Sequence, residues 1–138
     1  MSKQNLEIVR SIWEAAERRD RDAVFGFYDP AIVWDASTVP GPIAGVYHGH
    51  DGVRQYMRDW VEAFETHRVN AETFLAAGDR VVVGVRARGR GRASGVEVDM
   101  PRWLVYELRD GVVVRIDVFE TKAQAFTAAG LRERESTS

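Results

Sequence analysis

Trp103-Leu104-Val105-Tyr106-Glu107-Leu108-Arg109-Asp110-Gly111-Val112-Val113-Val114-Arg115-Ile116-Asp117-Val118-Phe119 is the stretch that sets the fold class. Two alternating apolar runs flank Arg109-Asp110-Gly111, which fits a three-residue hairpin loop with glycine in the left-handed position. That loop pairs Leu108 with Val112, Tyr106 with Val114 and Leu104 with Ile116, and puts these six on one face. Trp103, Val105, Val113 and Phe119 fall on the other face, among Glu107, Arg115 and Asp117.

The pattern continues toward the N-terminus. A hairpin turning through Gly89 to Gly95 pairs Arg88 with Glu97 and Arg86 with Asp99 without a skipped residue, leaving Val85, Ala87, Val98 and Met100 opposite. Antiparallel sheet is therefore predicted from Val69 to Phe119. Arg86, Arg88, Arg90 and Arg92 alternate like a phosphate-binding ribbon, but Glu97 and Asp99 neutralise the base of that ladder. Arg90 and Arg92 are left as unpaired cations in solvent at the hairpin tip.

Helices precede the sheet. Leu6, Val9, Ile12, Trp13 and Ala16 recur at helical spacing between Asn5 and Arg18. A second helix begins near Asp20 and Asp22, carries Ala23, Val24, Phe27 and Tyr28 on its apolar side, and ends at Pro30. Ala31 to Asp35 favours extended structure and enters a loop rich in proline and glycine, Ser37 to Gly45. A third helix, Asp51 to Phe64, carries Val53, Tyr56, Met57, Trp60 and Phe64 as a stripe, with Asp51 at its positive end. After the sheet, Ala123 to Ala129 reads as a short closing helix ended by Gly130, and residues 132–138 as a frayed tail. The chain thus reads as one α+β domain over residues 1–131.

Composition narrows the function. The 138 residues are 45% hydrophobic, with 19 Lys+Arg against 21 Asp+Glu. A chain of this size buries about 68–70% of its unfolded surface, enough for a core without staples. There is no cysteine, which excludes a thiol nucleophile, Cys-ligated zinc and disulfides. The net charge of −2 argues against nucleic acid as a partner. No apolar run approaches the ~20 residues that span a bilayer, and Met1 to Arg10 has no signal-peptide core, so a cytoplasmic location is expected. His48 and His50 flank Gly49 in a turn without carboxylates at ligand spacing, which reads as exposed loop rather than a metal site.

Several segments in order resemble the SnoaL-like branch of the nuclear transport factor 2-like superfamily, whose relatives include ketosteroid isomerase, limonene epoxide hydrolase and polyketide cyclases. They are Arg18-Arg19-Asp20-Arg21-Asp22, Ala31-Ile32-Val33-Trp34-Asp35, Tyr47-His48-Gly49-His50-Asp51-Gly52-Val53-Arg54, Gly78-Asp79-Arg80-Val81-Val82-Val83, Arg109-Asp110-Gly111-Val112-Val113-Val114-Arg115 and Ala128-Ala129-Gly130-Leu131. The resemblance spans nearly the whole chain. It implies a cone-shaped barrel of curved antiparallel sheet on N-terminal helices, with a pocket between them and frequent dimers through the outer sheet face. The apolar outer face bearing Trp103, Val105, Val113 and Phe119 fits a homodimer interface, with a C-terminal segment folding back as the alternative.

The resemblance also places Asp35 where ketosteroid isomerases carry their proton-abstracting aspartate. A carboxylate at the mouth of an apolar pocket has its pKa raised by desolvation and serves as a base beside a carbonyl. A solvated Asp capping the next turn is the other reading. The isomerase donors to the developing enolate are absent, since Ile12 and Trp13, and Arg102 and Leu104, stand where they are expected. Val118 aligns with the aspartate of limonene epoxide hydrolase, and Asp117 has the opposite parity, on the outer face near Trp103. Arg102 falls on the concave side with Met100, Leu104 and Tyr106. There it pairs with Asp35, or binds a substrate carboxylate or enolate, unless a bulge at Pro101 sends it to solvent.

The expectation is a cofactor-free enzyme of the isomerase or cyclase type. Asp35 and Arg102 are its candidate catalytic residues, and Trp34, Tyr47, Tyr56, Trp60, Met100, Leu104, Tyr106, Ile116 and Val118 its candidate walls for a carbonyl-containing or polycyclic substrate. The alternatives are a non-catalytic small-ligand binder and a protein-interaction module using the outer face.

Overall fold

A computed structural model describes residues 2–41 and 43–131; the expected tail, 132–138, lies outside the described residues. Helices α1 (Ser2–Glu17) and α2 (Arg21–Gly26) lead into strand β1 (Tyr28–Asp35). The short strand β2 (Val46–His48), helix α3 (Gly49–Ala63) and four long strands follow: β3 (Phe64–Ala77), β4 (Arg80–Gly91), β5 (Glu97–Arg109) and β6 (Val112–Phe119). Helix α4 (Lys122–Ala129) comes last. The strands form one sheet in the order β2-β1-β6-β5-β4-β3, curved but open between β2 and β3. All pairings are antiparallel except β1 with β6, which is parallel. No helix of the described residues is long and apolar enough to cross a membrane.

The helical stripes work as their spacing dictates. Val9, Ile12 and Ala15 of α1 and Val53, Tyr56 and Trp60 of α3 are buried in the main core against the concave face. The one buried polar residue among those described, Asn5, donates from Nδ2 to the Gly78 carbonyl in the β3–β4 turn at 3.2 Å, which ties α1 to the sheet. Helix α2 is capped by the Asp20 carboxylate and stops at Gly26. Tyr28 therefore belongs to β1, and Pro30 sits inside that strand rather than ending a helix.

The β5–β6 hairpin differs from its sequence-based register. Asp110 and Gly111 both take positive φ, +52° and +78°, so the turn has two residues and pairs Arg109 with Val112. An extra residue on β6 then shifts the ladder between Glu107 and Leu108, after which Tyr106 pairs with Ile116 and Leu104 with Val118. Across that bulge Val113, not Val112 or Val114, joins Leu108 in the main core. The β4–β5 hairpin keeps the expected faces but turns two residues tighter, pairing Arg88 with Asp99 and Arg90 with Glu97. Arg90 is thus ion-paired with Glu97 at 3.1 Å. Arg92 donates to the Val61 and Phe64 carbonyls at 2.8 and 3.2 Å, closing the C-terminal end of α3. Neither is the unpaired tip cation that alternation alone implied.

Helix α4 folds back over the outer face. A capping box of Thr121 and Gln124 starts it, and Gly130 in the left-handed conformation ends it. Ala125, Phe126 and Ala129 pack with Val82 and Val105 in a second core, with Trp103 and Phe119 against them. The Phe126 ring meets Trp103 edge-on, centroids 6.3 Å apart. Gly84 lies under that indole, where a Cβ would come within 2.8 Å of the ring. The residues expected at a subunit interface are accordingly packed within the chain: Trp103, Val105 and Phe119 beneath α4, and Val113 on the opposite face.

Phe126 is 1% exposed, and its truncation to alanine leaves a cavity that the sheet cannot close. Urea unfolding of Phe126→Ala is expected to show a loss of about 3 kcal/mol. A loss under ~0.5 kcal/mol, the range of a surface substitution, would mean that α4 does not cover this face.

Candidate functional site

The parity of β5 selects the residues of the concave face. Val85 pairs with Arg102, Val83 with Leu104 and Val81 with Tyr106, and those three valines are buried in the main core. The ladder passes Pro101, opposite Arg86, without a shift, so Arg102 stays on the helix side and is not flipped to solvent. Ile116 and Val118 follow from β6, Trp34 from β1 through its pairing with Ile116, and Tyr47 from β2 through its pairing with Trp34.

Helix α3 lays Tyr56 and Trp60 over these strands. Trp34 and Tyr56 have ring centroids 4.7 Å apart, and Tyr56 meets Tyr47 edge-on at 5.2 Å. Trp60 stacks on Phe64 at 4.9 Å and on His67 at 5.7 Å. Of the expected wall residues, Trp34, Tyr47 and Tyr56 thus make one aromatic cluster with Trp60 one helical turn on. Leu104, Tyr106, Ile116 and Val118 are buried beneath, and Met100 lies toward the open end beside Arg102.

The polar groups on this face are mostly donors. Arg102 donates from Nη1 to the Pro101 carbonyl at 2.9 Å and from Nη2 to the Met100 sulfur at 3.2 Å. Burial pushes the Tyr56 phenol up, while the Trp60 and Trp34 indoles and the Arg102 charge pull the other way. Burial raises the Tyr106 phenol well above its ordinary value, further raised by Tyr28 and opposed by Trp13. The indole Nε1 atoms of Trp13 and Trp34 are buried without a hydrogen-bond partner. Unpaired buried donors of this kind carry a cost of about 1–3 kcal/mol each.

One carboxylate touches the aromatic cluster, and sequence reasoning missed it. The Tyr47 hydroxyl lies 2.8 Å from Asp59 Oδ2 and Gln55 Nε2 donates to Asp59 Oδ1 at 2.7 Å. Burial and the Asp59 carboxylate push the Tyr47 phenol up to about 12. Asp59 follows Tyr56 by three residues on α3, a spacing that puts both on neighbouring faces and was legible in principle.

Asp35 is elsewhere. Pairing with Asp117, itself opposite Val105, places it on the outer face, away from Trp34 and Tyr106. Its Oδ2 accepts from Arg115 Nη2 at 2.9 Å, and Oδ1 accepts from the Ser37 N–H and hydroxyl. Arg115 Nε also donates to both oxygens of Asp117, at 3.1 and 3.2 Å. Burial pushes the Asp35 carboxyl up, but the Ser37 bonds and the Arg115 charge outweigh it and hold it below its ordinary value. The expected raised pKa is thereby reversed, and pairing of Asp35 with Arg102 does not occur, because the strand parity puts the two on opposite faces. Asp117 is on the outer face as expected, held by Arg115. Of the histidines, His50 places Nε2 2.9 Å from the Tyr28 carbonyl.

The loop after β1 closes one end of the concave face. Val39 and Ile43 are buried with Trp34 and Tyr56, and Thr38 donates to the Val118 carbonyl at 3.0 Å. The two best-formed surface concavities of the described residues lie apart from this cluster. One, about 560 Å³, runs over the far end of β3, β4 and β5 along Arg68, Arg88, Arg90, Glu97 and Asp99. The other, about 470 Å³, is a shallow apolar recess beside α4 at Phe119 and Ala123.

Residues 9–116 match the SnoaL-like domain family. The chain belongs to that family. No curated protein sequence matches this SnoaL-like chain. Among solved structures it is similar to an NTF2-like protein of unknown function from Burkholderia pseudomallei, with 25% identity over 90% of this chain and 95% of that one, TM-score 0.72. A candidate SnoaL-like polyketide cyclase from Jannaschia sp. shares 24% identity over 93% and 92%, TM-score 0.71. TerC, crystallised with polyporic acid, shares 18% identity over 92% and 98%, TM-score 0.71. These likenesses establish the SnoaL-like, NTF2-like fold.

Because the folded state lowers the Asp35 pKa, this group adds stability above its unfolded value of about 3.9 and loses it as pH falls through the folded value. Asp35→Asn is expected to cost about 1–2 kcal/mol at pH 7 and to flatten the decline of stability below about pH 4. A variant as stable as the parent at pH 7 would contradict the pairing with Arg115.

Proposed function

We propose that this SnoaL-like protein holds a small, flat organic molecule at the concave end of its sheet, among Trp34, Tyr47, Tyr56, Trp60 and Arg102. The observation that supports this most is the gathering of stacked aromatic rings and unpaired donors on one face, with Trp34 Nε1 buried and lacking an acceptor. A cluster of that kind offers ring faces for contact and N–H and O–H groups for oxygen atoms of a ligand. Entry at this end displaces Val39 and Ile43 of the loop after β1. That a related fold crystallised with polyporic acid agrees with a small organic occupant.

The catalytic form of this reading is cofactor-free proton transfer of the isomerase or cyclase type on a carbonyl-containing or polycyclic substrate. Asp35 does not serve it, since its carboxylate is spent on Ser37 and Arg115 on the other face. The Tyr47–Asp59 pair is the acid–base couple in contact with the aromatic cluster. Tyr47 stays protonated near neutrality, and Asp59 supplies the acceptor for a proton.

The four tryptophans make the test direct. Indole N–H signals of ¹⁵N-labelled protein, assigned with single Trp→Phe variants, are followed while flat aromatic and ketonic compounds are added. Trp34 and Trp60 are expected to shift while Trp103, beneath α4, does not. If Trp103 alone responds, or nothing moves Trp34, the assignment of the site fails. With 2-tetralone in D₂O, exchange of its α-protons faster than in buffer is expected for the catalytic form, and an unaccelerated rate removes that form.

A further inference from the structure

We infer that the concave site selects a planar organic anion whose charge sits on oxygen, a carboxylate or an enolate conjugated to a flat ring. This rests on the reading of that site given above and adds the charge of its ligand. The first ground is Arg102. Among the described residues it makes no salt bridge, nor do Arg68 and Arg109, whereas the sheet arginines Arg80, Arg86, Arg88, Arg90 and Arg115 each have a carboxylate within 4.0 Å. Its two side-chain contacts are a neighbouring carbonyl and a thioether sulfur, the latter a weak acceptor. A guanidinium carries five N–H donors in a planar fork matched to a carboxylate, so most of its capacity is unspent.

The second ground is the Trp34 indole. Trp34 is 8% exposed, its Nε1 is buried without a partner, and its ring lies against Tyr56, whose hydroxyl feels the Arg102 charge. The Trp34 indole and the Arg102 charge thus both bear on the Tyr56 hydroxyl, which keeps its own proton to donate. The carboxylate that could have neutralised them, Asp59, is turned to Tyr47 and Gln55. An excess of donors is the complement of an oxygen anion, and it disfavours a cation. The third ground is shape: Trp34 and Tyr56 pack with an interplanar angle of 37°, and Trp60 and Phe64 with 28°, which suits a ring in extension of the stack.

Benzoate and benzamide separate the charge from the ring. Each is titrated into the intact wild-type protein, with the Trp34 indole N–H signal as readout and Trp103 as the control for folding. Benzoate is expected to bind at least tenfold tighter than benzamide, and Arg102→Gln to bring benzoate down to the benzamide level. Arg102→Lys, which keeps the charge but not the fork, is expected to retain part of the preference and covers the case of an unstable glutamine variant. Equal binding of the two probes would overturn the anion inference while leaving the concave site in place. If neither probe moves Trp34, the site itself is wrong and the inference falls with it.

Discussion

Strand β6 hydrogen-bonds antiparallel to β5 on one side and parallel to β1 on the other, and everything at the site follows from that double pairing. Side chains alternate with period two, so one shared register assigns Trp34, Ile116 and Tyr106 to the helix side and Asp35, Asp117 and Val105 to the other. The register is pinned where Asp35 and Asp117 face each other across the parallel pair. Two carboxylates there would repel, and Arg115 bridges them. A slip of β1 by one residue would carry Asp35 into the aromatic core and Trp34 out of it, at the cost of an unpaired buried charge.

The two faces then differ in how their polar groups are satisfied. On the outer face the charges are matched: Arg86 and Arg88 with Asp99, Arg90 with Glu97, Arg115 with Asp35 and Asp117. Mostly solvated pairs of this sort contribute little individually, and on that face Arg68, opposite Arg88, is without one among the described residues. Helix α4 covers the apolar part of that face around Trp103 and Phe126. On the concave face the groups are donors in excess, from Arg102 on the sheet to the Trp34 indole. The matched ion pairs and the proposed ligand site therefore lie on opposite sides of one sheet.

How much of this was legible in the sequence depends on the range of the interaction. Alternation along β5 is local, and it placed Met100, Arg102, Leu104 and Tyr106 on one face, as the structure does. The helical stripe of α3 was equally local, and it brought Tyr56 and Trp60 forward. The hairpin register departs from simple alternation, since Asp110 joins Gly111 in the left-handed region and a bulge on β6 then restores the core face. Val113 changed sides for that reason. The face of Asp35 is not legible locally, because it depends on a parallel pairing with a strand some 80 residues away. The outer apolar face was visible as a surface in need of cover. Only the folded chain shows that α4, whose short apolar stretch could have packed in several ways, provides it.

The central claim, that uncompensated donors on the concave face form the ligand site, is tested most directly by a crystal structure of the wild-type protein with benzoate. The account expects the carboxylate within hydrogen-bonding distance of Arg102 and the ring against Trp34 and Tyr56. Benzoate seated instead in the groove along Arg68 and Arg88, with Arg102 untouched, would contradict it.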